Sequence, residues 1–219
     1  MIIAFLGTST DDKKFFLLCL ARIMSNHKKV ILCTAHNYAF DEDMGEVYDY
    51  CDIEVHQFTD DDSLIAISES SEPETCYFFD VDHYIPLQGD FKAVAICESS
   101  RVLLEESVRL AGEYSWINPS LNISVIYLNL MEYCKVSEKY MDLFWERSIP
   151  SFTILLKAFP IYFEEANRVI MLESQYSDRL PVRALTSSFK NSLLNIIQSF
   201  FDMNPKQARN LLKKAERVK

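Results

Sequence analysis

The chain has 219 residues, of which 49% are hydrophobic and 25% are charged, and its formal net charge is −10. This length is enough for one well-buried globular domain, predicted over residues 1–204, followed by a basic helical tail at 205–219. With only 4 Gly and 7 Pro, the composition argues against collagen-like, linker and disordered chains.

Targeting and cysteine patterns favour a cytoplasmic protein. The longest apolar stretches, Phe15 to Ala21 and Ser151 to Leu156, are shorter than the roughly 20 residues that span a bilayer. The apolar N-terminus has no leading positive region and is interrupted by Asp11 and Asp12, which is not typical of a signal peptide. The six cysteines form no CxxC pair, which predicts reduced thiols and no metal site.

Charge is unevenly distributed along the chain. Residues 205–219 hold six basic residues and one acidic residue, so the body at 1–204 carries −15. Such a body repels nucleic acid, and no nucleic-acid partner is expected through it. The segment 41–62 has ten acidic residues and no Lys or Arg, which predicts a solvated face. A surface for a protein partner is expected there, at Asp41, Glu42, Asp43, Asp60, Asp61 and Asp62.

Short β-branched or aromatic runs alternate with longer helical patterns. The runs predict seven strands, at Ile2–Leu6, Val30–Cys33, Ile53–Phe58, Cys76–Phe79, Ala93–Cys97, Ile123–Leu128 and Phe152–Leu156. Most are continuously apolar, as in a parallel sheet covered on both faces, whereas Ile53–Phe58 alternates and suggests an edge strand. Helical spacing predicts helices at Lys13–Met24, Arg101–Tyr114, Val136–Arg147 and Ser187–Phe201. This rhythm predicts an α/β three-layer sandwich with a mostly parallel central sheet of about seven strands.

The first strand-to-helix turn is where an open α/β sheet usually holds phosphate. Residues 7–14 read GTSTDDKK, which keeps Gly7 and Lys13 of the Gly-x-x-x-x-Gly-Lys-Ser/Thr phosphate loop. Asp12 replaces the glycine whose bare backbone lets phosphate approach, and Lys14 replaces the hydroxyl that would bind magnesium. Two interpretations stay open, an ordinary capped helix start and a retained phosphate contact.

The order of the segments resembles the ParA/MinD group of P-loop ATPases, including its TadZ/CpaE-like members of pilus assembly. Ile2–Lys14 is similar to the phosphate-loop unit, and Cys76–Asp80 to the strand that ends in a Walker B type aspartate. Ser124–Leu130 is similar to the strand that ends in an adenine-contacting asparagine, here Asn129. The resemblance implies a P-loop NTPase-like fold. If nucleotide binding is retained, it implies contacts at Gly7, Thr8, Ser9, Thr10, Lys13, Asp80 and Asn129.

Departures from the family pattern weaken this predicted nucleotide site. Thr8 stands where the family has its signature lysine, and Leu32 to His36 lacks the family's aspartate. A carboxylate at Asp12 would repel a β-phosphate by roughly 4 kcal/mol at about 4 Å and an effective dielectric constant near 20. The sequence therefore predicts no catalytic residues and no cofactor beyond weakly bound ATP.

Apolar residues recur at helical spacing among the cations of the tail, which predicts an amphipathic helix. MinD-like proteins end in a membrane-targeting helix, so the resemblance implies peripheral contact with the inner membrane face, or with a partner. The residues concerned are Lys206, Arg209, Lys213, Lys214 and Arg217. The apolar face is small and has no Trp or Phe, so a solvated helix that docks on the acidic body is the alternative.

Two functions from different classes follow. The first is a scaffold or localisation protein whose ATPase site has decayed, and which binds protein partners or a second copy of itself in a pilus, secretion or conjugation apparatus. The alternative is a divergent ATPase that switches oligomeric state with ATP, with Lys13 on the phosphates and Asp80 near the metal. The loop sequence favours the first. A plain α/β domain that binds another small molecule at the strand ends is a third possibility.

Overall fold

The computed structural model describes residues 1–39, 45–70 and 72–217. The strands in these residues are β1 (Ile2–Leu6), β2 (Lys29–Thr34), β3 (Val47–Tyr50), β4 (Ile53–Gln57), β5 (Thr75–Val81), β6 (Phe91–Glu98), β7 (Asn122–Leu130) and β8 (Ile154–Tyr162). The helices are α1 (Asp11–Met24), α2 (Asp61–Glu69), α3 (Arg101–Ile117), α4 (Glu138–Ser148), α5 (Glu165–Ser177), α6 (Ser187–Phe200) and α7 (Pro205–Ala215).

The strands form one sheet in the order β3-β4-β2-β5-β1-β6-β7-β8. All neighbouring pairs are parallel except β3 and β4. In the centre of the sheet Ile2 of β1 lies opposite Tyr77 of β5 and Phe91 of β6. The loop that follows β1 is therefore flanked by the carboxyl ends of β5 and β6. The predicted α/β class and mostly parallel sheet are confirmed, with eight strands in the described residues instead of about seven.

Helices pack on both faces of the sheet and form a hydrophobic core with each face. One face of the sheet packs against α1, α5, α6 and α7, and the other against α2, α3 and α4. Along β1, Ile3 and Phe5 point into the first core, whereas Ile2, Ala4 and Leu6 point into the second. A strand buried on both faces is mostly apolar, which is why the continuous apolar runs located β1, β2, β5, β6 and β7. The last strand was placed too early, because β8 begins two residues and ends six residues after the predicted Phe152–Leu156.

The edge of the sheet differs from the prediction. β3 was not expected, and because it is the outer strand, the interpretation of Ile53–Phe58 as an edge strand is wrong. In β3 the side chains of Tyr48 and Tyr50 are buried, whereas those of Val47 and Asp49 are exposed. The net charge of 41–62 does not reveal this alternation. The described acidic residues of the segment lie at the surface, as expected, whereas the tyrosines between them are buried.

The acidic residues predicted to form a partner surface fall into two groups. Asp41, Glu42 and Asp43 lie outside the described residues. Asp60 is the N-cap of α2 and accepts a hydrogen bond from the Ser63 backbone N–H at 2.9 Å, which lowers the pKa of this carboxyl. Asp61 and Asp62 stand in the first turn of α2, where negative charge is favourable to the helix dipole. Helix α2 was not predicted, and neither was α5.

The basic tail forms α7, which begins with a capping box between Asn204 and Gln207. Its apolar side chains are buried against the core formed with α1 and α6; they are Ala208, Leu211, Leu212 and Ala215. The cations of its described part stay exposed; they are Lys206, Arg209, Lys213 and Lys214 on α7, and Arg217 just after it. This is the arrangement of a helix that docks on the body. No helix among the described residues is long and apolar enough to cross a bilayer.

Gly7 links β1 to α1 with a backbone φ of +133°, a conformation that L residues rarely adopt. A Cβ added to Gly7 would lie 2.2 Å from the carbonyl oxygen of Ile96. We expect Gly7→Ala to lower the free energy of unfolding by at least about 2 kcal/mol, measured by urea denaturation. Gly45→Ala is the matched control, because a Cβ there would have no heavy atom within 4 Å. Equal urea midpoints for the two variants would contradict this account of the turn.

Candidate functional site

Part of the backbone of the loop after β1 is hydrogen-bonded within the protein. The Gly7 N–H donates to the Val81 carbonyl at 2.9 Å, and the Thr10 N–H donates to the Thr8 carbonyl at 2.9 Å. Thr10 is the N-cap of α1, and its Oγ1 accepts from the Lys13 N–H at 3.1 Å. A phosphate at a helix N-terminus binds to free N–H groups of this kind. Here the Thr10 hydroxyl occupies one of these groups, the Lys13 N–H.

Lys13 is turned into the protein, with 1% of its surface exposed. Its Nζ lies 2.6 Å from Asp80 Oδ1. It also donates to the Gly7 carbonyl at 2.5 Å and to the Val81 carbonyl at 3.3 Å. Burial lowers the pKa of Lys13 below its usual value, although the charge of Asp80 opposes the shift. The lysine that the loop pattern would place on a phosphate is thus a buried ammonium surrounded by protein oxygens.

The sequence predicted a strand that ends at Phe79, just before Asp80. In the structure Asp80 lies inside β5, and its side chain is fully buried. Ser9 Oγ donates to Asp80 Oδ2 at 2.6 Å, and the Tyr38 hydroxyl donates to the same atom at 2.8 Å. Burial, followed by the negative charge of Asp80, raises the pKa of Tyr38 well above its usual value. With Lys13 at one oxygen and two hydroxyls at the other, the carboxylate is enclosed by side chains of this chain.

Asp12 has a partner that the sequence did not reveal. Arg168 of α5 donates from Nη1 to Asp12 Oδ2 at 2.8 Å. The guanidinium offsets the negative charge of Asp12, so the repulsion of phosphate expected from this carboxylate alone is reduced. The two residues are 156 apart along the chain, and no local pattern connects them.

Asn129 lies apart from the ion pair of Lys13 and Asp80. It stands near the end of β7 with a left-handed backbone, φ +54°, beside an irregularity in the pairing with β8. It lines a cleft together with Asp12 and with Arg168 of α5. The space in this cleft is about 20 Å³, which is room for one water molecule and not for a purine base.

Two further carboxylates contact the loop. Thr8 Oγ1 donates to Glu106 Oε2 at 2.7 Å, and Thr10 Oγ1 donates to Glu98 Oε1 at 2.6 Å. Burial raises the pKa of Glu98, and the nearby charge of Asp12 adds to this shift. Sequence reasoning missed both glutamates. A signal existed for Glu98, because it ends the strand next to β1 and so had to lie at the same sheet edge as the loop.

Hydrogen bonds connect a series of histidine and aspartate side chains that starts just after β5. Asp82 bonds to His36 Nε2 and to His83 Nδ1, each at 2.7 Å, and His83 Nε2 lies 2.9 Å from Asp61. The hydrogen bond from His36 contributes most to holding the pKa of Asp82 well below its usual range. The bond to Asp82 raises the pKa of His83. Within the part of the chain that the structure describes, no group of three or more His, Cys, Asp and Glu is arranged to hold a metal ion.

The fold is that of solved MinD and plasmid partition proteins. MinD of Aquifex aeolicus superposes with a TM-score of 0.60 at 10% identity, over 93% of this chain and 97% of that one. A complex of MinC and MinD from the same organism gives 0.52 at 10% identity, over 90% and 95%. A plasmid partition protein of Borrelia burgdorferi bound to AMPPNP gives 0.55 at 11% identity, over 90% and 98%. No protein-family model matches the sequence, and no curated protein is significantly similar to it. The P-loop NTPase-like fold implied by the resemblance is therefore confirmed as a fold.

Removing one member of a buried ion pair leaves the other charge uncompensated. We expect Lys13→Met to lower the free energy of unfolding by about 3–5 kcal/mol, measured by urea denaturation. Adding Asp80→Asn to that variant should recover most of the loss, because no unpaired charge then stays buried. Lys14→Met is the matched control. The Lys14 side chain is only half-buried, so this variant should change the free energy of unfolding by less than about 1 kcal/mol. Equal effects of Lys13→Met and Lys14→Met would show that the pair does not stabilise the fold.

Proposed function

We propose that this chain is a scaffold or localisation protein with the MinD/ParA fold whose nucleotide site is impaired and which acts by binding protein partners. The observation that carries the proposal is the burial of Lys13 against Asp80. The lysine that would have to hold a β- or γ-phosphate is committed to a carboxylate at 2.6 Å and to the Gly7 carbonyl. This pairing supports an impaired site, because the cation that phosphate needs already has a partner in the chain.

The free energy of opening this site argues against tight nucleotide binding. For Lys13 to reach a triphosphate, its ammonium must leave Asp80, whose carboxylate is fully buried. Leaving a buried charge without its partner costs about 3–5 kcal/mol. That cost corresponds to a loss of affinity of between about a hundredfold and several thousandfold. The carboxylates of Glu98 and Glu106 beside the loop add negative charge to the same place.

Magnesium binding would meet a second obstacle. The hydroxyl that ligates the metal in a phosphate loop is replaced by Lys14, whose Nζ donates to the Asn37 carbonyl at 2.9 Å. The nearby hydroxyls of Ser9 and Thr10 already donate to Asp80 and Glu98. Metal neutralisation of the phosphates supplies much of the catalysis in this class of enzyme. Efficient hydrolysis of ATP is therefore not expected.

Binding to other proteins is supported by the surface. Large apolar side chains are exposed around the start of β8, which is the last strand of the described sheet; they are Trp116, Phe152, Ile154 and Leu156. Exposed apolar groups of this size at a sheet edge are typical of protein contact surfaces. One similar structure is a complex of MinD with MinC. The assembly that we propose is membrane-associated, such as a pilus, secretion or conjugation apparatus, and the protein would lie on its cytoplasmic side. The exposed cations of α7 would be available for peripheral membrane contact.

The proposal predicts a small thermal response to nucleotide. At an ATP concentration equal to the dissociation constant, a bound ligand stabilises the native state by only about 0.4 kcal/mol. We therefore expect millimolar ATP with magnesium to raise the melting temperature by less than about 2 °C. Phosphate release should stay at the level of the buffer.

Two results would favour the ATPase instead. One is a large, saturable rise in melting temperature with ATP and magnesium that Lys14→Met leaves intact and that Lys13→Met with Asp80→Asn removes. The other is phosphate release that this double variant abolishes. The double variant replaces both members of the ion pair, so its stability can be compared with the native chain before nucleotide is added.

A further inference from the structure

A second cleft lies at the end of the sheet that is opposite to the loop after β1. It is formed by the last turn of α1, the turn between β3 and β4, the segment 179–183 after α5 and the C-terminal end of α7. Its volume is about 740 Å³, which is within the usual range of small-molecule sites. None of its lining residues belongs to the loop or to the ion pair of Lys13 and Asp80.

Cations dominate the lining of this cleft. The basic residues are Arg22, Arg179, Arg183, Lys213 and Arg217, and the acidic residues are Asp52 and Glu216. Both carboxylates are already engaged, since Arg22 pairs with Asp52 at 2.7 Å and Lys190 pairs with Glu216 at 2.7 Å. Within residues 1–39, 45–70 and 72–217, the four other lining cations form no ion pair with a carboxylate.

This concentration of positive charge stands out on a chain whose net charge is −10. Four of the nine arginines in the sequence line the one cleft. Asp178, the C-cap of α5, directly precedes Arg179 in the chain, and the lining residues themselves carry more positive than negative charge. Like charges that converge on a concave surface repel one another, so the arrangement is most stable when an anion lies between them.

We propose that this cleft binds a compact group that carries two or more phosphates. Guanidinium groups match phosphate oxygens with paired hydrogen bonds, and four of the five lining cations are arginines. Leu180 and Pro181 line the same cleft, so an apolar or ring portion attached to the phosphates has a surface to contact. The acidic body around the cleft disfavours long nucleic acid and favours a small ligand. A free polyphosphate compound and a phosphorylated lipid headgroup share this chemistry.

The probe for this site is inorganic tripolyphosphate, titrated calorimetrically into the full chain without magnesium. We expect saturable binding with one molecule per chain. Arg183→Gln combined with Arg217→Gln should weaken it at least about tenfold, because two charge-assisted contacts are lost. The control, Lys206→Gln combined with Arg209→Gln, makes the same change in net charge on exposed residues of α7 outside the cleft and should leave the affinity within about twofold.

Several results would overturn the proposal. They are an absence of binding, several molecules bound per chain, or an equal loss in both double variants, which would indicate attraction by net charge alone. Affinity that the cleft variant leaves unchanged would place the anion elsewhere. Duplex DNA that binds through Arg183 and Arg217 more tightly than tripolyphosphate would contradict a compact ligand.

A vesicle arm separates the two sources of phosphate. Phosphatidylcholine vesicles that contain a bisphosphorylated inositol lipid are sedimented with the protein, with and without tripolyphosphate. Sedimentation that tripolyphosphate reverses supports a lipid headgroup as the ligand. Binding of tripolyphosphate with no sedimentation supports a free polyphosphate. Because the cleft is remote from Lys13, either result is independent of whether the nucleotide site is impaired.

Discussion

The ion pair between Lys13 and Asp80 is the contact on which the centre of this fold depends. It joins the first helix to the central strand β5 at the carboxyl edge of the sheet, with both side chains removed from water. A buried charge is tolerated only when an opposite charge and hydrogen-bond partners surround it. Ser9, Tyr38 and the Gly7 carbonyl supply those partners. The arrangement keeps the strand, the loop and the helix in place without a ligand.

The same principle extends to the neighbouring groups. Thr10 caps the helix and donates to Glu98, Thr8 donates to Glu106, and Arg168 pairs with Asp12. The side chains of Thr8, Thr10, Asp12 and Lys13, which lie in and next to this loop, thus each have a partner inside the protein. The two apolar cores stabilise the faces of the sheet, and the ion pair with its neighbours holds the loop and α1 against its carboxyl edge.

The sequence predicted the buried parts of the fold well, and its surface parts less well. Strands covered on both faces are mostly apolar, so β1 and most of β5 were evident, although β5 also carries the buried Asp80. Strand β3 was missed because Tyr48 and Tyr50 alternate with Val47 and Asp49 inside an acidic segment, and four residues are too few for a clear pattern. The end of α1 at Met24 was predicted correctly, whereas its start was placed at Lys13, two residues after the Asp11 that follows the Thr10 cap.

The candidate site was predictable as a set of neighbours but not as a set of contacts. Parallel strands place the loop after β1 beside Asp80, which the order of segments was enough to indicate. The partners that decide its chemistry come from elsewhere in the chain. Tyr38 follows β2, Glu98 ends β6 and Arg168 lies on an unpredicted helix, 156 residues from Asp12. No local periodicity specifies which distant side chain neutralises a charge.

The most direct measurement is a crystal structure of the protein grown with ATP and magnesium. The account predicts an empty loop, with Lys13 Nζ still in contact with Asp80 and no triphosphate bound to the backbone of residues 7–14. A triphosphate and a metal ion held in that loop, with the Lys13 ammonium turned from Asp80 to the phosphates, would contradict it.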